Sequence, residues 1–291
     1  MSRLVYHQIQ FISRYACALM LGSVLAACDG GGAGPTPTPD GTAMPTATAS
    51  SAPTANPSPA PTATPVPAPT PDVSARACFS ADAYQDGAYI ETSTRVLDEN
   101  GDVESVKDVQ VVIDADAEFR GEPAIEVNAT ETRASGNIVR RDYLRLLSAG
   151  DTFFELGYVQ SSIPATAHYE PPVERRFDLQ AGDSYEQTYW RRWTLDEGVT
   201  RPPMDPVTSE YETALTTTYV GRETVTVPAG TFETCRFDET SVISSLSDRE
   251  MTETKWLAVG SGVLVRLVMQ GAPPGTYRHD EELVSFSITL P

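Results

Sequence analysis

Few side chains in the bulk of this chain could take part in covalent or metal chemistry. After residue 28 there are two histidines, His168 and His279, and two cysteines, Cys78 and Cys235. No further ligands stand at zinc spacing around the histidines, and no Gly-x-Ser-x-Gly segment marks a serine nucleophile. The sequence therefore predicts a non-catalytic protein with no cofactor and no metal site. We expect His168 to lie in a strand or loop, and His279, in the segment RHDEE, to face solvent.

Acidic and amide side chains alternate in the segment 98–104, DENGDVE, which gives it some likeness to a calcium-binding loop. Val103 occupies the sixth position of this segment, where such a loop requires glycine. Asn100-Gly101, between two apolar runs, is instead typical of the two-residue turn of a β-hairpin. The segment therefore predicts a hairpin.

The run YWRRWT combines aromatic rings with arginines. As a strand, it would place Tyr189, Arg191 and Trp193 on one face and Trp190 and Arg192 on the other. The alternative is a surface that binds sugars or bases through stacking and cation–π contacts. We expect the strand, with side chains that have structural roles.

Alternating apolar residues dominate the chain after residue 72 and would position these side chains. Period-two runs cover residues 125–129, 154–158, 263–267 and 284–290, and each is typical of a half-buried strand. The segment RRDYLRLLS fits a short helix and a strand equally well. Residues 73–291 are therefore predicted to form one all-β domain, an antiparallel meander built largely of hairpins.

The N-terminal segment 1–27 has the layout of a secretory signal peptide. Arg3 and Arg14 supply positive charge, residues 15–25 are apolar, and two alanines follow. The apolar run is shorter than the roughly 20 residues that span a bilayer as a helix. We expect this segment to be removed and the mature protein to lie outside the cytoplasm.

The sequence LAAC, which ends at Cys28, resembles the lipobox of bacterial lipoproteins. The resemblance implies that Cys28 becomes the first mature residue, with a diacylglyceryl thioether and a further acyl chain, such as palmitate, on its amine. Two or more acyl chains anchor a protein stably, whereas one gives marginal binding. Asp29 resembles the residue that retains enteric lipoproteins at the inner membrane. The implied location is the bacterial cell envelope, with the membrane and leaflet left open.

Residues 28–72 contain this anchor followed by a low-complexity tract rich in proline and threonine, without aromatic residues. Such a tract cannot bury enough apolar surface to offset the entropy lost on ordering. We expect a disordered linker with polyproline II character between the anchor and the β domain.

Cys78 and Cys235 form an even pair in a chain predicted to be exported. An even number of cysteines outside the cytoplasm suggests a disulfide. The bond would link the start of the β domain to a strand far along the chain. The alternative is two buried free thiols.

Two segments near the C-terminus resemble a pattern that recurs in uncharacterised secreted bacterial proteins. They are YVGRETVTVPAGTFETCRF at 219–237 and TKWLAVGSGVLVRLV at 254–268. The resemblance implies an antiparallel sheet curled into a half-barrel, similar in shape to the LolA and LolB lipoprotein carriers.

The residues of this pattern have packing explanations, which predict structural rather than catalytic roles. Pro228 would end a strand because it has no N–H to donate, and Gly230 would permit a tight turn. Phe232 would return an aromatic ring to the buried face. The remaining motif residues are expected at a bend or bulge and packed beside it: Gly260, Gly262 and Trp256.

The charge and the predicted shape limit the classes of partner that this protein can bind. A formal net charge of −19 would repel phosphate backbones, so we expect no nucleic-acid partner. A curled sheet on a lipid anchor favours a binding module for an apolar ligand or a lipid. The alternative hypothesis is a structural or interaction protein that binds a protein or cell-wall partner in the envelope.

The anchor can be tested by metabolic labelling with a fatty-acid probe in a host that matures lipoproteins. The wild-type chain should take up the label, and Cys28→Ser should abolish uptake because it removes the sulfur that would be acylated. Equal labelling of the two proteins would refute lipidation at this residue.

Overall fold

The computed structural model describes residues 73–132, 136–147, 151–161, 165–195, 208–244, 249–271 and 277–291. The predicted signal peptide, Cys28 and the linker lie outside the described residues. In the described part, no helix has the length and apolar character needed to cross a bilayer.

Antiparallel strands make up most of the described chain, after two short 3-10 turns at Ala75–Cys78 and Ala81–Tyr84. In chain order the strands are β1 Tyr89–Leu97, β2 Val103–Phe119, β3 Glu122–Thr132, β4 Ile138–Leu146, β5 Thr152–Gln160, β6 Ala165–Arg176, β7 Ser184–Leu195, β8 Thr208–Val227, β9 Gly230–Ile243, β10 Arg249–Ala258, β11 Leu264–Gly271 and β12 Arg278–Thr289. The ambiguous segment RRDYLRLLS is a strand over most of its length, within β4.

The sheet closes into a barrel in which every strand pairs with its neighbours along the chain. The first and last strands complete the ring, in a register that runs from Tyr89 opposite Thr289 to Leu97 opposite Asp280. The prediction of an all-β antiparallel meander is confirmed. The curling goes further than the predicted half-barrel, because β1 and β12 pair over nearly their full length.

The hairpin predicted at Asn100-Gly101 joins β1 to β2. The Asp98 carboxylate accepts hydrogen bonds from the backbone N–H of Asn100 at 2.9 Å and of Asp102 at 2.8 Å. The backbone N–H of Asp102 makes the largest contribution to lowering the pKa of Asp98, and the backbone N–H of Asn100 lowers it further. Gly101 has a φ of 86°, which glycine adopts without steric cost.

A bulge in β5 changes the predicted phase of the run 154–158. Phe153 is buried on the inner face, whereas Phe154 is only half-buried on the outer face. The register shifts between Glu155 and Gly157, so that Tyr158 returns to the inner face with no exposed surface. Gly157 is required here because a Cβ atom would lie 2.2 Å from the Ala167 carbonyl oxygen on β6. The run 263–267, by contrast, faces inward at each alternate residue as predicted.

The N-terminal 3-10 turns close one end of the barrel and fill it with apolar side chains. The Phe79 ring stacks on Phe177 at a centroid distance of 5.0 Å. The Ala75 N–H donates to the Leu179 carbonyl at 3.0 Å, and Ala77 accepts a 2.8 Å hydrogen bond from the Gly260 N–H. This end of the barrel is therefore a packed core.

Cys78 and Cys235 are bonded to each other within this core, with their Cα atoms 6.1 Å apart. Both residues have no exposed surface. The bond attaches the first 3-10 turn to β9 across a sequence separation of 157 residues.

Replacing both cysteines by alanine should lower the free energy of unfolding by about 3–5 kcal/mol, because a long loop is no longer closed in the unfolded chain. Urea denaturation of the two proteins measures the difference. Non-reducing mass spectrometry after alkylation is the control: two labelled thiols at Cys78 and Cys235 in the wild-type protein would contradict the bond.

Candidate binding site

A cavity of about 60 Å³ lies inside the barrel, away from the packed end, large enough for a small polar group or a few water molecules. It is bordered by the inner faces of consecutive strands from β6 to β11. Its lining residues are Tyr169, Arg175, Tyr189, Arg191, Thr213, Leu215, Glu239, Ser241, Ile243, Met251, Thr252, Glu253 and Met269. The lining is therefore a mixture of charged, aromatic and aliphatic side chains rather than an apolar surface.

A chain of ion pairs runs along one side of the cavity. Arg175 donates to Glu155 and to Glu239, at 2.8 Å in both cases. Lys255 contacts Glu239 and Glu253, at 2.9 Å in both cases. All five side chains are about nine-tenths buried or more. The two cations thus offset most of the charge of the three carboxylates, which otherwise could not stay charged in the interior.

Glu239 is the centre of this network because it receives both cations. Burial by itself would raise the pKa of the Glu239 carboxyl, but Arg175 and Lys255 outweigh burial and lower that pKa to about 2. The carboxylate is therefore ionised at every physiological pH.

Arg191, on β7, lies on the other side of the cavity and is 9% exposed. It stands directly opposite Tyr169 on β6, and its guanidinium carbon is 5.8 Å from the centre of that ring. The Tyr169 and Tyr189 rings meet edge to face at 5.4 Å. Burial disfavours the charge of Arg191, but the hydroxyls of Tyr169, Tyr189 and Tyr158 raise the pKa of its guanidinium. Arg191 is thus enclosed by phenol groups rather than by carboxylates.

The predicted arrangement of the run YWRRWT agrees with the structure. Tyr189 and Arg191 are buried on the inner face, whereas Trp190 is 40% exposed on the outer face. Outside the barrel, Arg192 forms ion pairs with Glu170 and Glu210. The alternation placed Arg191 on one face with Tyr189, but nothing local in the sequence indicated that this face is the inner one or which residues of other strands would meet it.

A second buried ion pair lies on β4, next to Tyr158. The guanidinium of Arg140 donates to both oxygens of Asp142, and its carbon lies 3.9 Å from the Tyr158 ring centre. Arg140 is 2% exposed. This pair is not evident from the sequence, since arginine and aspartate spaced two apart in a strand are usually solvated. The only local signal is that spacing, which places both side chains on one face.

His279 is buried, so the prediction that it faces solvent is wrong. It lies on the inner face of β12, and its Nε2 atom is 2.6 Å from Glu281 Oε1. Lys107 contacts the same carboxylate. The acidic run is tolerated because alternate residues point inward, where Lys107 on β2 and the His279 imidazole meet the buried Glu281 carboxylate. His168 is half-buried on the outer face of β6. Its pKa is lowered mainly by this partial burial and further by the positive charges of Arg120 and Arg192.

The motif residues of the C-terminal segments lie at turns or on the outer surface, except Phe232, which packs against a buried cluster that includes Val263, Val265 and Leu283. None of them lines the cavity. Pro228 follows the last residue of β8, and Gly230 starts β9 with a φ of 137°. The Phe232 ring lies 6.1 Å from that of Phe286. These positions agree with structural roles.

The second half of the motif forms the turn between β10 and β11. Gly260 and Gly262 both have positive φ, 79° and 63°. Trp256 lies on the outer face between two arginines, 5.6 Å from Arg236 and 5.4 Å from Arg266. A register shift between β10 and β11 follows Trp256 directly, so a bulge lies beside the packed indole.

Within the described ranges, no group of three or more histidine, cysteine, aspartate or glutamate side chains is arranged to hold a metal ion. The buried carboxylates near the cavity are instead bound by Arg175 and Lys255.

No family model matches this chain, and no curated protein matches it. Solved structures similar to it include a protein assigned as exported, with a YmcC-like fold, from Bacteroides fragilis, at 14% identity over 70% of this chain and 96% of that chain, with a TM-score of 0.40. A protein assigned as a lipoprotein from Parabacteroides distasonis has 14% identity over 70% and 96%, with a TM-score of 0.38. The hypothetical lipoprotein YmcC from Escherichia coli has 11% identity over 70% and 88%, with a TM-score of 0.34. These scores are too low to assign a family or a function.

Replacing Lys255 by methionine should destabilise the protein by about 3–5 kcal/mol at neutral pH, because it removes the cation that Glu239 and Glu253 share in the interior. The Glu239 pKa is lower in the folded protein, so its stabilisation is present above the unfolded value of 4.5 and is lost as the pH falls towards about 2. The difference between wild type and Lys255→Met should shrink over that range.

Urea denaturation at a series of pH values measures this difference. The matched control is Arg192→Met, which breaks ion pairs on the outer surface and should cost less than about 1 kcal/mol. A loss for Lys255→Met that is equally small, or that does not vary with pH, would contradict the role of the network.

Proposed function

We propose that this protein is a non-catalytic binding module of the bacterial cell envelope, anchored by acyl chains on Cys28, which holds a small ligand inside its barrel. The observation that carries the proposal is the cavity between β6 and β11, which is lined by side chains that converge from separate strands. Pockets with a few convergent polar groups among apolar ones are typical of small-molecule sites.

The mixed lining specifies what such a ligand needs. Leu215, Ile243 and Met269 offer aliphatic contacts, while Arg191 and Thr213 offer polar ones. A ligand with both an apolar and a polar part satisfies the two kinds of group. The proposal therefore keeps the hypothesis of an apolar or lipid ligand but adds a polar head, and the volume of about 60 Å³ limits the part enclosed to a small group.

A second candidate function is binding to an envelope protein or to the cell wall. The observation that favours it is the end of the β1–β2 hairpin, where Val103 and Val106 are 53% and 56% exposed. Exposed apolar side chains at the end of a strand can contact a partner. In this case the cavity would have no ligand, and cross-linking in cells would capture a partner through the hairpin.

The binding function can be tested on full-length protein purified in mild detergent from a host that matures lipoproteins. Solvent extraction and mass spectrometry should detect one small molecule, at about one per chain, that is absent from an identically treated control protein. Ser241→Phe, which projects a ring into the cavity, should abolish its recovery.

The matched control for this substitution is Thr240→Phe, on the outer face of the same strand, which should leave recovery unchanged. Circular dichroism and thermal melting verify that both variants are folded. Recovery of no molecule above the control level would contradict a tightly held ligand, and equal recovery from the two variants would contradict an interior site.

A further inference from the structure

We infer that Arg191 is the anchor for the carboxylate of a small monocarboxylic acid, of about acetate to butyrate size, bound in the barrel cavity. This inference rests on the proposed interior site and names the chemical class of its ligand. It is carried by the position of one buried cation and one buried hydroxyl that face the same cavity.

Arg191 is distinguished from the other cations beside the cavity by its partners. Arg175 binds Glu155 and Glu239, and Lys255 binds Glu239 and Glu253. Among the described residues, Arg191 forms no ion pair with a carboxylate; its guanidinium shares a hydrogen bond with Tyr189, and its Nε–H has no partner. Arginine is almost never buried to this extent without an anion beside it. Its fork of N–H groups matches a carboxylate in two-point contact.

Thr213 supplies a second unused polar group at the same cavity. It lies on β8 opposite Tyr189, is 1% exposed, and its hydroxyl has no partner in the described part of the chain. A buried hydroxyl without a partner is costly. A carboxylate held by Arg191 can accept a hydrogen bond from this hydroxyl, so one group would satisfy both donors.

The surroundings favour a monoanion with a short alkyl tail. Glu239 and Glu253 line the same cavity, and their charges would repel a dianion such as phosphate more strongly than a single carboxylate. The aliphatic side chains of Leu215, Ile243 and Met269 provide contacts for the tail. The volume of about 60 Å³ suits a short tail.

The test is isothermal titration calorimetry of the full chain in detergent, at neutral pH, with propionate as the probe. Propionate should bind with a Kd on the order of 0.1–1 mM, the range open to so small a ligand. Propionamide, which has nearly the same shape but no charge, should bind at least tenfold more weakly, and so should inorganic phosphate.

Arg191→Met should weaken propionate binding at least tenfold, because it keeps most of the side-chain volume and removes the charged fork. Arg192→Met, the neighbouring arginine on the outer face, is the matched control and should bind propionate as the wild type does. Thr213→Val, which retains the shape of threonine, should weaken binding by a smaller factor. Thermal melting establishes that each variant is folded; if Arg191→Met does not fold, Arg191→Lys replaces it, with the same expected loss because lysine cannot make the two-point contact.

Equal binding of propionate and propionamide, or unchanged propionate binding in Arg191→Met or its replacement, would overturn the inference. So would the absence of propionate binding to the wild type. Recovery of an uncharged molecule from the purified protein, lost in Ser241→Phe, would overturn the carboxylate assignment while supporting an interior site. Recovery of no molecule together with no propionate binding would overturn both proposals.

Discussion

The pairing of β1 with β12 is the constraint on which the rest of this structure depends. Their hydrogen bonds close the sheet, and a closed sheet has no exposed edge. Closure also makes the interior a separate compartment, in which each inward side chain must find its partners among residues of other strands. The inward side chains find their partners in two ways. At the end closed by the 3-10 turns they form an apolar core with a disulfide, and around the cavity they form ion pairs.

The ion pairs are more informative about specificity than about stability. Burying a charged pair costs desolvation that its attraction only partly returns, so apolar side chains would fill the same space at no greater cost. What the network around Glu239 provides is a fixed polar wall, held by Arg175 and Lys255 from different strands. Against such a wall the different surroundings of Arg191, enclosed by phenols, are a distinct chemical feature.

The fold could be predicted from the sequence further than the site could. Alternation and the Asn100-Gly101 turn are local signals, and they correctly indicated an antiparallel meander with a hairpin. Closure depends on pairing between the two ends of the domain, for which no local pattern exists. The predicted phase of the run 154–158 in β5 was wrong, because the bulge at Gly157 is imposed by the close approach of the β6 backbone. The predicted exposure of His279 was wrong, because its acidic neighbours in the sequence suggested a solvent-facing segment. The cavity combines residues from strands spread over the second half of the chain, so sequence spacing could not bring Arg191, Thr213 and Glu239 together.

The pairing of Tyr89 with Thr289 also sets the order of events when the chain folds. The strand that completes the ring is the last to be synthesised, so hairpins in the middle of the sheet can form early, but the barrel cannot close before the C-terminal residues have left the ribosome. Contacts between residues so far apart in the sequence form slowly, because closing the long loop costs chain entropy before the contacts can stabilise the fold. A chain interrupted before β12 would leave two open sheet edges, ready to pair with other chains.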